Sequence, residues 1–128
     1  MQAHFILYVR DQVVSAGFYR HVFDYEPTLD VPGMTEFCLS ESVVLGLMPE
    51  TGIKKLLGEP LPDPQLARGI PRAEVYLIVE NAQAYYWRAL SKGARPLSEP
   101  VTRDWGHTVA YCLDPDGHVL AFAEREKP

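Results

Sequence analysis

The chain has 128 residues, 47% of them hydrophobic and 23% charged, which is enough to bury one core and is the composition of an ordinary globular domain. Its net charge of −5 comes without an acidic block, and its basic residues are scattered. That pattern argues against a nucleic-acid partner and favours neutral or cationic ligands, unless the local field of a pocket reverses the balance. The longest apolar runs, residues 5–9 and 43–48, fall far short of the roughly 18 residues of a membrane span, and MQAH shows no export signal. The expectation is a cytoplasmic protein with no membrane association. Cys38 and Cys112 have no Cys-x-x-Cys spacing and lie in apolar segments, so they read as buried free thiols.

In chain order, Phe5 to Val9 is a strand, rich in β-branched and aromatic residues. Asp11 then supplies a helix N-cap for Gln12 to Phe23, with Val14, Phe18 and Val22 on one face. Strands follow at about 25–31, 34–39 and 43–48, separated by Pro32-Gly33 and by Ser40-Glu41-Ser42. Residues 50–72 carry Pro60, Pro62, Pro64 and Pro71 with three glycines and form a connector, with a helical turn at 53–57. A strand at 75–79, a helix from Ala82 to Lys92 capped by Asn81 and stopped at Gly93, and strands at 94–97, 105–113 and 119–123 complete the chain. The last two strands meet across the tight turn Asp114-Pro115-Asp116-Gly117, whose acidic pair lacks the further oxygen donors of a calcium loop.

Each half therefore reads βαβββ, and the halves echo one another. Phe37-Cys38-Leu39 matches Tyr111-Cys112-Leu113, Val43 to Gly46 matches His118 to Ala121, and His4 and Glu74 each stand seven residues ahead of a helix cap. The pattern is an internal duplication within one domain: module one at 1–49, connector at 50–72, module two at 73–128. A sheet with a helix on one face needs cover or a purpose for the other. Two such half-sheets, side by side, would curl their open faces around one cavity.

His4-Phe-Ile-Leu-Tyr-Val-Arg-Asp11, Ser15 with Phe18-Tyr19, Glu74 to Asn81, and Trp105-Gly106 leading into Asp114-Pro115-Asp116-Gly117 together resemble the vicinal oxygen chelate superfamily, which includes glyoxalase I, extradiol dioxygenases and bleomycin resistance proteins. The resemblance covers nearly the whole chain. It implies an α+β fold of two tandem βαβββ modules forming a U-shaped mixed sheet around a central groove, assembled as a homodimer. In the family's metal enzymes the ligands come from four matched positions, which fall here on His4, Gly46, Glu74 and Ala121. Two of these cannot coordinate, and a divalent metal needs several convergent donors to outcompete water. The expectation is a protein without a cofactor.

The candidate residues follow from the resemblance, which implies His4 and Glu74, and from strand phase, which gives the rest. His4 and Glu74 are the candidates for catalysis or metal binding, as an acid–base pair at the groove floor or as a structural pair that satisfies two polar groups. Trp105, His107 and Tyr111 share one face of a strand, the duplication adds Phe37 as the counterpart of Tyr111, and Tyr8, Tyr76 and Met48 share the phase of His4 and Glu74. These seven are the expected ligand-binding residues, read against the alternative that strand aromatics simply fill a core. Gly46 and Ala121 are expected to leave room for a bulky flat ligand.

The function this supports is sequestration of a small aromatic or apolar molecule without chemistry, as in antibiotic resistance proteins. The alternative is a glyoxalase-type lyase, isomerase or dioxygenase using His4 and Glu74, with or without a divalent metal. A third reading is a regulatory module whose groove is filled by a loop or partner chain.

Overall fold

The computed structural model describes residues 1–127. The elements are β1 (Ala3–Val9), α1 (Gln12–Phe23), β2 (Leu29–Val31), β3 (Met34–Ser40), β4 (Val43–Pro49), α2 (Glu50–Leu57), β5 (Glu74–Ile78), α3 (Ala82–Ser91), β6 (Arg95–Thr102), β7 (His107–Leu113) and β8 (Val119–Arg125), with one short 3-10 turn at Pro64–Ala67. They make an α+β chain with two four-stranded sheets, ordered β1-β4-β3-β2 and β5-β8-β7-β6. In each sheet the first strand runs parallel to the last and the other pairings are antiparallel. These are the two βαβββ modules of the sequence. The chain forms two compact units: residues 1–20 with 24–68, and residues 21–23 with 69–127.

In the first unit, the Asp11 carboxylate accepts hydrogen bonds from Val13 N and Val14 N, so α1 begins where its N-cap predicts. The buried stripe of α1 in this unit runs through Ser15, Phe18 and Tyr19, while Val14 is exposed. Gln12, at the start of the helix, clamps the β2–β3 turn. Its amide donates to Val31 O at 2.8 Å and Thr35 Oγ1 at 2.9 Å, and its oxygen accepts from Gly33 N at 2.9 Å. The strand expected over 25–31 shrinks to Leu29–Val31, because Tyr25 leaves the ladder to lay its ring against Phe37 and donate its hydroxyl to Cys38 O.

In the second unit, Asn81 caps α3 through Ala84 N, and the Glu124 carboxylate accepts from Ala82 N. Tyr85 of α3 meets Phe122 of β8 at 5.7 Å between ring centroids, and Tyr86 is buried, whereas Trp87 is exposed. Strand β6 runs further than Pro96 and Pro100 suggest, because it is a sheet edge, where a missing N–H costs no ladder bond. Its register with β7 shifts twice along the way.

Candidate functional site

Register decides which side chains share a face. In the second sheet, Tyr76 and Tyr111 both lie opposite Ala121 across neighbouring strands, and Val109 lies opposite Ala123. Tyr76 and Tyr111 pack against the buried trio Val109, Ala121 and Ala123. The opposite face carries Phe122, which meets α3, so the two tyrosines belong to the face without a helix.

The β6–β7 hairpin brings three more residues to this face. Arg103 N donates to His107 O at 2.8 Å and Gly106 N to Arg103 O at 3.1 Å, closing a short loop with Gly106 at φ 88°. Trp105 thus sits in the loop, not within the strand expected from 105. It still reaches the predicted face: its indole Nε1–H donates to Tyr76 Oη at 2.8 Å. Tyr76 Oη lies 2.6 Å from His107 Nδ1, with the two rings 5.8 Å apart. An indole can only donate, so Tyr76 Oη accepts from Trp105, and its second hydrogen bond joins it to His107 Nδ1. The chain Trp105–Tyr76–His107 fixes the orientation of three aromatic side chains, of which Trp105 is 57% exposed. The Arg103 guanidinium lies over the Tyr111 ring at 5.3 Å from its centroid. Burial first, then the negative field of Glu74 and of Tyr76, push the Tyr111 hydroxyl above its usual range, opposed by Arg103.

In the first sheet, His4, Ile6 and Tyr8 on β1 lie opposite Val44, Gly46 and Met48 on β4, and Glu36 on β3 lies opposite Gly46. His4 Nδ1 is 3.5 Å from Glu36 Oε2, and its Nε2 is 3.2 Å from Gln2 Oε1. Tyr8 and Met48 share this face and are half-buried.

Phe37 is not on that face. It is fully buried against Tyr19 of α1 and Tyr25. The pairing of Phe37 with Tyr111 fails because the two halves align without a gap: Glu36 stands opposite Gly46 as Tyr111 stands opposite Ala121. A one-residue slip moves a side chain to the other face of a sheet. The same correction applies to Cys38, which is exposed although Cys112 is buried. The end of β3 differs from that of β7 by a register shift between Cys38 and Ser40. Glu36 and Arg103 were the residues that sequence reasoning missed; an ungapped alignment of 36–46 with 111–121 would have raised Glu36.

Gly46 and Ala121 do not open the room expected of them. A Cβ on Gly46 would come within 3.0 Å of Ile6 Cγ1 and 3.3 Å of Met34 Sδ, and Ala121 is fully buried. The metal set implied by the resemblance fares no better: two of its four positions carry no donor, and His4 gains only one carboxylate neighbour, Glu36. Within neither unit do three His, Cys, Asp or Glu side chains converge among the described residues. Two donors from that set would leave most of a divalent ion's coordination shell to solvent.

The family model for the Glyoxalase/Bleomycin resistance protein/Dioxygenase superfamily matches residues 2–122. Among solved structures, a glyoxalase-related enzyme from Fulvimarina pelagi is 21% identical, covering 98% of this chain and 88% of that one, with a TM-score of 0.82. A glyoxalase/bleomycin resistance protein/dioxygenase family enzyme from Burkholderia phytofirmans PsJN is 18% identical over 96% and 97% of the two chains, with a TM-score of 0.76. A glyoxalase/bleomycin resistance protein from Catenulispora acidiphila DSM 44928 is 24% identical over 98% and 99%, with a TM-score of 0.69. At these identities the likeness is one of fold. No curated protein matches the chain significantly.

Proposed function

The chain belongs to the glyoxalase/bleomycin resistance protein/dioxygenase superfamily, and from that premise we propose that it is a binding protein that sequesters a planar aromatic molecule on the face built by Trp105, Tyr76, His107 and Tyr111, without metal and without chemistry. The observation that carries this reading is the hydrogen-bonded chain from Trp105 Nε1 through Tyr76 Oη to His107 Nδ1, at 2.8 and 2.6 Å. It ties the indole N–H to the Tyr76 hydroxyl and leaves an indole more than half exposed yet held in one orientation. A ring that is already fixed loses little conformational entropy when a ligand stacks on it. These four side chains include no serine, cysteine or lysine to act as a nucleophile.

The test is a titration with planar aromatic compounds, read by Trp105 fluorescence in a Trp87→Phe background, since the chain has two tryptophans. Stacking on an indole contributes about 0.5 to 1.5 kcal/mol beyond area burial. Trp105→Ala is therefore expected to weaken binding about fivefold or more while leaving the unfolding transition in place. Tyr76→Phe, which keeps the ring and frees the indole N–H, should weaken it by a smaller factor. Binding that ignores both substitutions would reject the face as the site.

A second reading, the glyoxalase-type enzyme, draws on the polar group His4, Glu36 and Gln2 in the first sheet. An imidazole beside a carboxylate is a general acid–base arrangement. Under this reading His4→Ala abolishes turnover of a tested substrate and spares aromatic binding.

The proposal also takes the protein to be a cytoplasmic homodimer. What supports the dimer is β1, an edge strand of the first sheet whose Phe5 and Ile6 are exposed. Sedimentation equilibrium at micromolar concentration should give twice the chain mass; a single-chain mass would reject it.

A further inference from the structure

The Arg103 side chain is not explained by the fold. It is half-buried, and one terminal nitrogen donates to Ser98 Oγ at 2.7 Å. The hydroxyl of Ser98 donates onward to Glu99 O at 2.9 Å, so Ser98 is a neutral acceptor here and cannot balance the charge. Arg103 Nε is buried without any hydrogen-bond partner. Among the described residues no carboxylate forms an ion pair with it. The other half-buried arginines are served differently: Arg20 pairs with Glu26 and Asp30, and Arg88 Nε donates to Val22 O at 2.9 Å. A buried guanidinium N–H left without an acceptor is costly, and the cost is recovered when an anion supplies the missing oxygens.

The position of Arg103 says what that anion would be attached to. It opens the loop that carries Trp105 two residues later, and its backbone is fixed at both ends by bonds to His107 and Gly106. Its guanidinium lies over Tyr111, and Tyr111 shares the Val109, Ala121 and Ala123 floor with Tyr76. The aromatic face thus ends in a cation whose Nε–H is unspent and whose charge no carboxylate pairs among the described residues.

We infer that Arg103 is the specificity-determining residue of this face and that the ligand is an aromatic carboxylate, its ring on Trp105 and Tyr76 and its carboxylate on the Arg103 guanidinium. The inference rests on the binding reading above. A planar fork of N–H donors matches a carboxylate in both charge and shape. A monoanion suits the site better than a phosphate dianion, because Glu74 adds negative field at Tyr111 and the chain carries a net charge of −5. Glu74 is exposed, so water screens its repulsion, whereas Arg103 is part-buried and its attraction is screened less.

The test compares 2-naphthoate with its neutral isostere 2-naphthamide by calorimetry on the intact protein. Wild type is expected to bind the carboxylate at least about tenfold more tightly than the amide, as for a charge-assisted pair. In Arg103→Gln that preference should vanish while amide affinity stays within about twofold; Arg103→Lys should keep part of it. In wild type, the Arg103 Nε–H resonance should move on adding naphthoate and stay in place with naphthamide, a readout that needs no variant. Equal affinities in wild type, or a preference that survives in both variants, would overturn the role of Arg103. If both probes still bind and both weaken in Trp105→Ala, the aromatic face stands and only the carboxylate assignment falls. If neither probe binds, both fall together.

Discussion

Gly117→Ala is expected to destabilise the protein by about 3 kcal/mol or more, lowering the unfolding midpoint by about 10 °C. Two separate terms add. Gly117 closes the β7–β8 turn at φ 89°, a left-handed conformation that a side chain resists. The turn around it is held by Asp114, whose carboxylate accepts from Asp116 N and His118 N at 2.9 Å each, and by Gly117 N donating to Asp114 O at 3.0 Å. The backbone is therefore not free to relax toward a negative φ. The second term is the approach of the connector: a Cβ on Gly117 would stand 2.6 Å from Gly69 O and 2.9 Å from Gly69 Cα. Those are backbone atoms, which cannot swing aside as a side-chain tip can. Gly33 provides the control, at φ 95° with nothing within 4 Å of where its Cβ would stand, so Gly33→Ala should show the conformational term alone, about 1 to 2 kcal/mol. Chemical denaturation of both variants checks this. Equal losses would mean that the connector yields freely and that its contact with the turn contributes nothing.

At pH 8, iodoacetamide is expected to alkylate Cys38 and spare Cys112 in the folded protein. Cys38 is exposed. Burial, and then the negative field of Asp114, push the Cys112 thiol from 9.0 up to about 12, so it holds about a thousandfold less thiolate at this pH than an ordinary thiol. Mass spectrometry of the folded and denatured protein should count one adduct and two. The same shift has a consequence for stability. The folded state keeps the Cys112 proton more tightly than the unfolded state, so its stabilising contribution is whole below pH 9 and is lost as pH climbs toward 12. By pH 10 the loss from this thiol is about 1.4 kcal/mol. Tyr86 and Tyr111, both raised mainly by burial, push in the same direction. Cys112→Ala should therefore lose less stability than wild type between pH 8 and pH 10; identical slopes would place the thiol in a wetter environment than the structure gives it.

The fold was legible because its signals were local. Asp11 and Asn81 announce their helices, and the alternation along Tyr76, Val109 and Tyr111 announces the face they line. Trp105, Tyr76 and His107 could be named together from strand phase, although nothing in the sequence showed that one hydroxyl would join them. What failed was the alignment of the halves. Phe-Cys-Leu resembles Tyr-Cys-Leu in composition, and composition outweighed spacing. Because side chains alternate with a period of two, that single slip sent Phe37 to the wrong face, hid Glu36 and made Cys38 seem buried. Arg103 was missed for another reason: a lone arginine in a loop carries no periodicity, and only the structure shows a donor left without an acceptor.

The prolines of β6 bear on how the protein behaves at high concentration. A strand at the border of a sheet offers unspent backbone donors and acceptors to any other chain it meets, which is the route to ordered aggregates. Pro96 and Pro100 leave two of the eight residues of β6 without an N–H, and the two register shifts break the straight run of the rest. This border cannot template a neighbouring strand along its length. The loop bearing Arg103 and Trp105 can therefore keep its aromatic surface open to solvent while the strand that leads into it resists growth into fibrils.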